Sequence, residues 1–142
     1  MNDSDDVTGL IEKMAGELKG HMTWCGRDRP AKVGIHTGGV WVAEQLHRQL
    51  GLGDPLGSLE ISFYRDDFTR LGMNPVVQPS ELPVRIDDRH LLLVDAVLHT
   101  GRSIRAAMNE LFDYGRPASI VLATLVERDG RELPIQANVV GR

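Results

Sequence analysis

Two short stretches carry residues that can do chemistry. The first is "LLLVDAVLHTGRS", Leu91–Ser103. An apolar run there ends in one carboxylate, Asp95, and a short apolar hinge leads into Thr100-Gly101-Arg102-Ser103. The second is "HTGG", His36–Gly39, which follows the apolar run "AKVGI". Small residues let backbone N–H groups approach a ligand closely, and a helix that begins just beyond them adds partial positive charge. Each stretch is therefore a candidate anion site. In the first, the hydroxyls of Thr100 and Ser103 add donors and Arg102 adds charge. Phosphate is the natural guest. Asp95 needs a different partner, and a sugar hydroxyl or a Mg²⁺ ion carried by the ligand supplies one. Together these residues suggest a site for a phosphorylated sugar.

Each feature also has a plainer reading. A Thr-Gly turn that opens a helix is often mere capping. A strand-end aspartate can cap the next turn. Gly38-Gly39 alone marks a turn more often than a phosphate loop. His36 and His99 read as solvated loop residues, Cys25 as a packed or surface thiol, and Trp41 as helix packing. Only the combination in one chain favours chemistry. "GLGDPLG" (Gly51–Gly57) is no dinucleotide fingerprint, because its spacing is wrong and it follows a helix. The acidic strand end at Asp95 has no glycine-rich Gly-Lys-Ser/Thr loop to make a P-loop enzyme of it.

The elements that must position these residues follow from periodicity. "DVTGLIEKMAGELKG" places Leu10, Ile11, Met14 and Leu18 on one helical face, with Gly20 as its stop. "AKVGI" reads as a short buried strand, "HTGG" as a turn, and "VWVAEQLHRQL" as a helix ended by Gly51. "SLEISFYRDD" alternates as a strand does. From Arg65 to Asp88 the pattern dissolves into a long polar, Pro-containing loop, the kind used as a lid or binding loop. "HLLLVD" and "SIVLATLV" read as buried strands, and "ANVV" as one more. Between the first two, "SIRAAMNELFDYGRP" carries the stripe Ile104, Ala107, Met108, Leu111, Phe112 and stops at Gly115 and Pro117. Strands alternating with helices predict an α/β domain with a mostly parallel sheet. Ligands of such sheets bind beyond the carboxyl ends of the strands, where both polar stretches fall.

Composition narrows the class. A chain of 142 residues is expected to make a single domain, 1–142, with a real core. A net charge of −4 disfavours a dedicated nucleic-acid binder without excluding a local basic patch. One cysteine excludes an internal disulfide and a zinc cluster and fits a reducing compartment. No apolar run approaches a membrane span, and the acidic N-terminus lacks a signal-peptide pattern, so a cytoplasmic location is expected.

At these residues the chain resembles a known family. "LLLVDAVLHTGRS" is similar to the thirteen-residue signature of type I phosphoribosyltransferases. "VGIHTGG", "ISFYRDD", "GRPASIVLATLVERDGRELPI" and "VVG" resemble the pyrimidine-operon regulator/uracil phosphoribosyltransferase family, PyrR. The likeness covers roughly Lys32 to Arg142, and "YRDD" and "RELPI" are specific to that branch. It implies the type I phosphoribosyltransferase fold, with a central parallel sheet, flanking helices and a small hood. It also implies formation of UMP and pyrophosphate from uracil and phosphoribosyl pyrophosphate, with Mg²⁺. On this resemblance Thr37, Gly38 and Gly39 hold pyrophosphate, and Thr100, Gly101, Arg102 and Ser103 hold the 5′-phosphate. Asp95 meets the ribose hydroxyls and, through the ligand, the metal. Arg65, with Asp66 beside it, opens a flexible catalytic loop, 65–88, that closes over pyrophosphate. Uracil lies near Ala96, Val97 and Leu98 and meets a hood near Val140, with Arg128 close by. Several members also bind messenger RNA of pyrimidine operons. A homodimer or larger homo-oligomer is expected, able to gather Arg27, Arg29, Lys32 and Arg48 on one face.

Three departures from the family pattern stand out. The family has two adjacent acids where this chain has Asp95-Ala96. The missing carboxylate predicts weaker turnover: a hydrogen bond to a charged group is worth about 1.5–3 kcal/mol, or tenfold to a hundredfold. An alternative reading is therefore a catalytically weakened, nucleotide-sensing regulator that binds pyrimidine-gene RNA. His99 replaces the tyrosine common in this branch and can accept or donate a proton, which makes it a candidate catalytic group. Gly38 stands where close relatives carry a basic residue. Beyond these three, the sequence ends at Arg142 where family members continue, either as a naturally shortened protein or for want of its tail, so the hood is expected to be incomplete.

Overall fold

The structure, a computed structural model, describes residues 3–25, 30–50, 56–61, 82 and 85–142. In chain order the elements are α1 (Asp3–Cys25), β1 (Ala31–Ile35), α2 (Gly38–Leu50), β2 (Gly57–Leu59), β3 (His90–Leu98), α3 (Arg102–Tyr114), β4 (Ser119–Glu127) and β5 (Val139–Val140). The strands form one parallel sheet in the order β2-β1-β3-β4-β5. The chain runs outward from β1 to β2 on one side and restarts at β3 on the other. The β1/β3 boundary is thus the switch point, where the loops after two neighbouring strands diverge and leave a crevice.

Strand alternation feeds two cores. Leu91 and Leu93 of β3 join Ala31, Val33 and Ile35 of β1 and Ile104, Ala107 and Leu111 of α3 on one face. Leu92 and Val94 join Ile11, Met14 and Leu18 of α1 and Val42, Ala43 and Leu46 of α2 on the other. A helix–sheet–helix sandwich follows from the fact that β3 is apolar on both faces.

Several sequence expectations need correction. α1 runs through Gly20 to Cys25, because a mid-helix glycine costs only about 1 kcal/mol and nothing there forces a left-handed turn. Gly38 and Gly39 are the first residues of α2 rather than part of a turn. β2 ends at Leu59, so Glu60 and Ile61 lie outside the strand expected over 58–67; residues 62–67 fall outside those described. β3 continues through Ala96, Val97 and Leu98, because these residues stay in register with β4; the apolar hinge is strand. β4 is fully buried only at Leu122, Ala123 and Thr124, where β5 covers it. Phe112 is 54% exposed and Trp41 47% exposed, so neither packs the core. The long loop lies mostly outside the described residues. Within it, Ile86 is buried in the α3-side core and Leu82 packs against it.

Candidate active site

The loop after β1 is drawn tightly onto the sheet. The His36 N–H donates to the Leu59 carbonyl at 2.9 Å. A Cβ at Gly39 would sit 2.5 Å from the Val94 carbonyl oxygen and 3.0 Å from Asp95 Cα. Only glycine lets the first turn of α2 lie directly on β3 at that point. Thr37 and Gly38 remain exposed, and the peptide bond between His36 and Thr37 is cis.

Asp95 is half-buried, and its Oδ1 accepts from the Ala96 N–H at 2.8 Å. Ala96 packs toward the α1/α2 side. A Cβ at Gly38 would come within 2.9 Å of the Ala96 Cβ. The two small residues that depart from the family pattern therefore touch. A second carboxylate at 96 would face the His36–Gly39 loop, where a basic residue at 38 would meet it. This chain has neither.

The turn after β3 offers its amides. Gly101 caps α3 with φ +95°, a left-handed conformation that glycine adopts without strain. The Thr100 hydroxyl accepts from the Arg102 N–H at 3.1 Å. Among the described residues, no hydrogen bond uses the N–H of Thr100 or Gly101. Arg102 and Ser103 open α3 and are exposed, and Arg102 Nε donates to Glu132 Oε1 at 2.7 Å. The result is two helix-opening turns, one on each side of the Asp95 carboxylate.

The other predicted residues divide. Val97 is exposed at the sheet's end, whereas Leu98 is 1% exposed and its side chain belongs to the core. The Arg128 N–H donates to the Leu98 carbonyl at 2.8 Å, which places it beside the turn. Val140 lies in β5 opposite Thr124. The His99 ring packs over Gly130, where a Cβ would lie 2.9 Å from Nε2. Arg65 and Asp66 lie outside the described residues, as do Arg27 and Arg29. Lys32 is wholly buried and cannot join a basic surface with Arg48.

Sequence reading missed two features. Thr124 pairs with Asp95, is fully buried, and its Oγ1 has no hydrogen-bond partner among the described residues. The signal was one hydroxyl inside the apolar run "SIVLATLV". The second is the position of the branch-marking stretch from Arg131, which contacts the back of the Thr100–Ser103 turn and leaves no periodicity to detect.

Among the described residues no three His, Cys, Asp or Glu side chains converge as a metal centre. One carboxylate with neighbouring anion turns fits a Mg²⁺ ion held mainly by the ligand's own oxygens, with Asp95 beside it. No helix among the described residues is long and apolar enough to cross a membrane.

Comparison with known proteins agrees with this geometry. The family described as "Phosphoribosyl transferase domain" matches residues 4–141. "Bifunctional protein PyrR" of Nitrosococcus oceani is 61% identical over 138 residues, 96% of this chain and 78% of that protein. Its namesake from Pseudomonas aeruginosa is 59% identical over 133 residues, 94% and 78% of the two chains. Among solved structures, a hypoxanthine-guanine phosphoribosyltransferase from Bacillus anthracis superposes with a TM-score of 0.77 at 14% identity, covering 100% of this chain and 81% of the other. A purine phosphoribosyltransferase from Pyrococcus horikoshii gives 0.70 at 23% identity, covering 95% and 80%. These structural neighbours share the fold. With the family match across nearly the whole chain and that level of identity to its relatives, the chain belongs to the phosphoribosyltransferase family, in its PyrR branch.

Proposed function

We propose that this chain transfers the phosphoribosyl group of phosphoribosyl pyrophosphate to uracil, forming UMP and releasing pyrophosphate. One observation carries the reading: two helix-opening turns, His36–Gly39 and Thr100–Ser103, flank Asp95 at the β1/β3 switch point. A sugar with a phosphate at one end and a diphosphate at the other needs two anion cradles on either side of a hydroxyl acceptor. In the reaction the anomeric carbon loses its bond to diphosphate and gains one to uracil nitrogen, and the nitrogen's proton leaves. Asp95 accepts from the ribose hydroxyls and steadies the cation-like sugar. Thr37, Gly38 and Gly39 receive the departing diphosphate, and the Thr100–Ser103 turn anchors the 5′-phosphate. Phosphoribosyltransferases use Mg²⁺ with this donor; Asp95 and the ligand's own oxygens would hold it here, and it would supply charge neutralisation at the leaving diphosphate. Val97 offers the base an apolar surface near Arg128 and Val140. His99 is a candidate proton carrier if its ring leaves Gly130. The whole chain acts as one domain; the lid expected over 65–88, with Arg65 and Asp66, lies mostly outside the described residues, and Ile86 at its end is buried in the core.

The test is UMP formation from uracil and phosphoribosyl pyrophosphate with Mg²⁺, repeated on Ala96→Asp. Turnover that depends on both substrates is expected. No product from either protein would sink the enzyme reading.

The bifunctional naming of its relatives favours a second role, control of pyrimidine genes through RNA bound by a homo-oligomer. Filter binding to the pyrimidine leader RNA should strengthen with UMP and weaken steeply with salt. Binding that ignores UMP would exclude it.

A further inference from the structure

"RELPI", Arg131–Ile135, marks the branch in the sequence, yet the nucleotide site assigns it no task. In the structure it lies behind the phosphate turn and takes up the turn's carbonyls. The Leu98 carbonyl accepts from the Arg128 N–H at 2.8 Å. The His99 carbonyl accepts from Arg131 Nη1. The Thr100 carbonyl accepts from the N–H groups of Glu132 and Leu133 at 2.9 and 3.1 Å. The Gly101 carbonyl accepts from the Arg105 N–H at 3.0 Å. The stretch itself thus holds two of these carbonyls, those of His99 and Thr100; Arg128 holds that of Leu98, and the Gly101 bond is the first-turn bond of α3.

A planar trans peptide points its N–H opposite to its carbonyl. Holding the His99 carbonyl therefore aims the Thr100 N–H, and holding the Thr100 carbonyl aims the Gly101 N–H. Those are the two amides that no hydrogen bond among the described residues uses. The contact is also filled sterically. A Cβ on Gly101 would meet Leu133 and Ile135 at 3.4 Å.

Arg131 is the key of this strap. Its guanidinium reaches the His99 carbonyl, the Glu127 carboxylate through Nη2, and the Arg128 carbonyl at 3.5 Å. A planar fork with several fixed donors can hold two carbonyls and a carboxylate at once, and a lysine ammonium cannot match that geometry.

We propose that Arg131–Ile135 is a strap that preorganises the phosphate turn, with Arg131 a positioning residue acting through the His99 carbonyl. The proposal rests on reading Thr100–Ser103 as the 5′-phosphate cradle. The experiment uses the ¹⁵N-labelled full chain, titrated with UMP and separately with inorganic phosphate, and compares wild type with Arg131→Ala and Arg131→Lys. In wild type, the Thr100 and Gly101 amide resonances should shift on titration. Arg131→Ala should bind UMP roughly tenfold to a hundredfold more weakly, with Arg131→Lys in between. In turnover, KM for phosphoribosyl pyrophosphate should rise while KM for uracil stays put, a split that general destabilisation would not produce. Glu127→Gln removes one anchor of the guanidinium and tests the same point if Arg131→Ala fails to fold; a threefold to tenfold loss of UMP affinity is expected. Wild-type amides that ignore both UMP and phosphate would overturn the cradle and the strap together. A normal wild-type response, with all folded variants within twofold of its affinity, would overturn the strap alone.

Discussion

At the residue scale, the site is decided by side chains that are small or absent. Gly38 and Ala96 leave no room between them: a methyl at 38 would lie 2.9 Å from the Ala96 Cβ. Gly38→Ala should therefore push the His36–Gly39 loop off β3 and raise KM for phosphoribosyl pyrophosphate roughly tenfold, and adding Ala96→Gly should restore most of it. Steady-state kinetics on the two variants decide the matter. Equal KM in wild type and Gly38→Ala would show that the contact is slack. The same contact explains why Ala96→Asp is a demanding restoration. The carboxylate returns beside Thr37-Gly38-Gly39, which offers it no basic partner. Asp95→Asn keeps the shape and removes the charge. It should lower kcat/KM by about tenfold to a hundredfold with melting temperature little changed.

At the element scale, the strands do more than the sequence pattern suggests. The resemblance placed Leu98 near the base, and the stretch after Asp95 was read as a loop, but register with β4 carries β3 on to Leu98 and seats that side chain in the core. Alternation along one strand cannot reveal where its partner stops. α3 is the opposite case. Its apolar stripe was legible, and Ile104, Ala107 and Leu111 are all buried, with Met108 packed against the core; only Phe112 at the stripe's edge is exposed. Leu111 is fully buried. Leu111→Ala should cost about 2–5 kcal/mol in urea unfolding. A cost under 1 kcal/mol would mean that α3 repacks over the sheet. Arg131–Ile135, legible along the chain only as a branch marker, reaches the turn through an arginine side chain, backbone groups and the side chains of Leu133 and Ile135. Such contacts leave no period in the sequence.

At the scale of the whole molecule, the parallel sheet in the order β2-β1-β3-β4-β5 brings the two polar turns to one crevice. A ligand that spans them should tie β1, α2, β3 and α3 together. At a hundredfold excess over Kd, phosphoribosyl pyrophosphate with Mg²⁺ should add about 2.7 kcal/mol, roughly 5–10 °C in melting temperature. Inorganic phosphate at the same concentration, which fills only one turn and so binds more weakly, should add less; no shift with either would leave the crevice without its proposed guest. The sequence by itself determined the α/β class, the apolar faces, the two small-residue turns after β1 and β3 and the branch of the family. Those features are local, written in periodicity and in short runs of glycine and hydroxyl residues. Only the tertiary structure decided that Gly38 meets Ala96, that Lys32 is buried, that Thr124 lies beside Asp95, and that Arg131 grips the turn from behind. Each of these joins residues from separate elements. Sheet order and register set such contacts, and no single stretch of sequence records them.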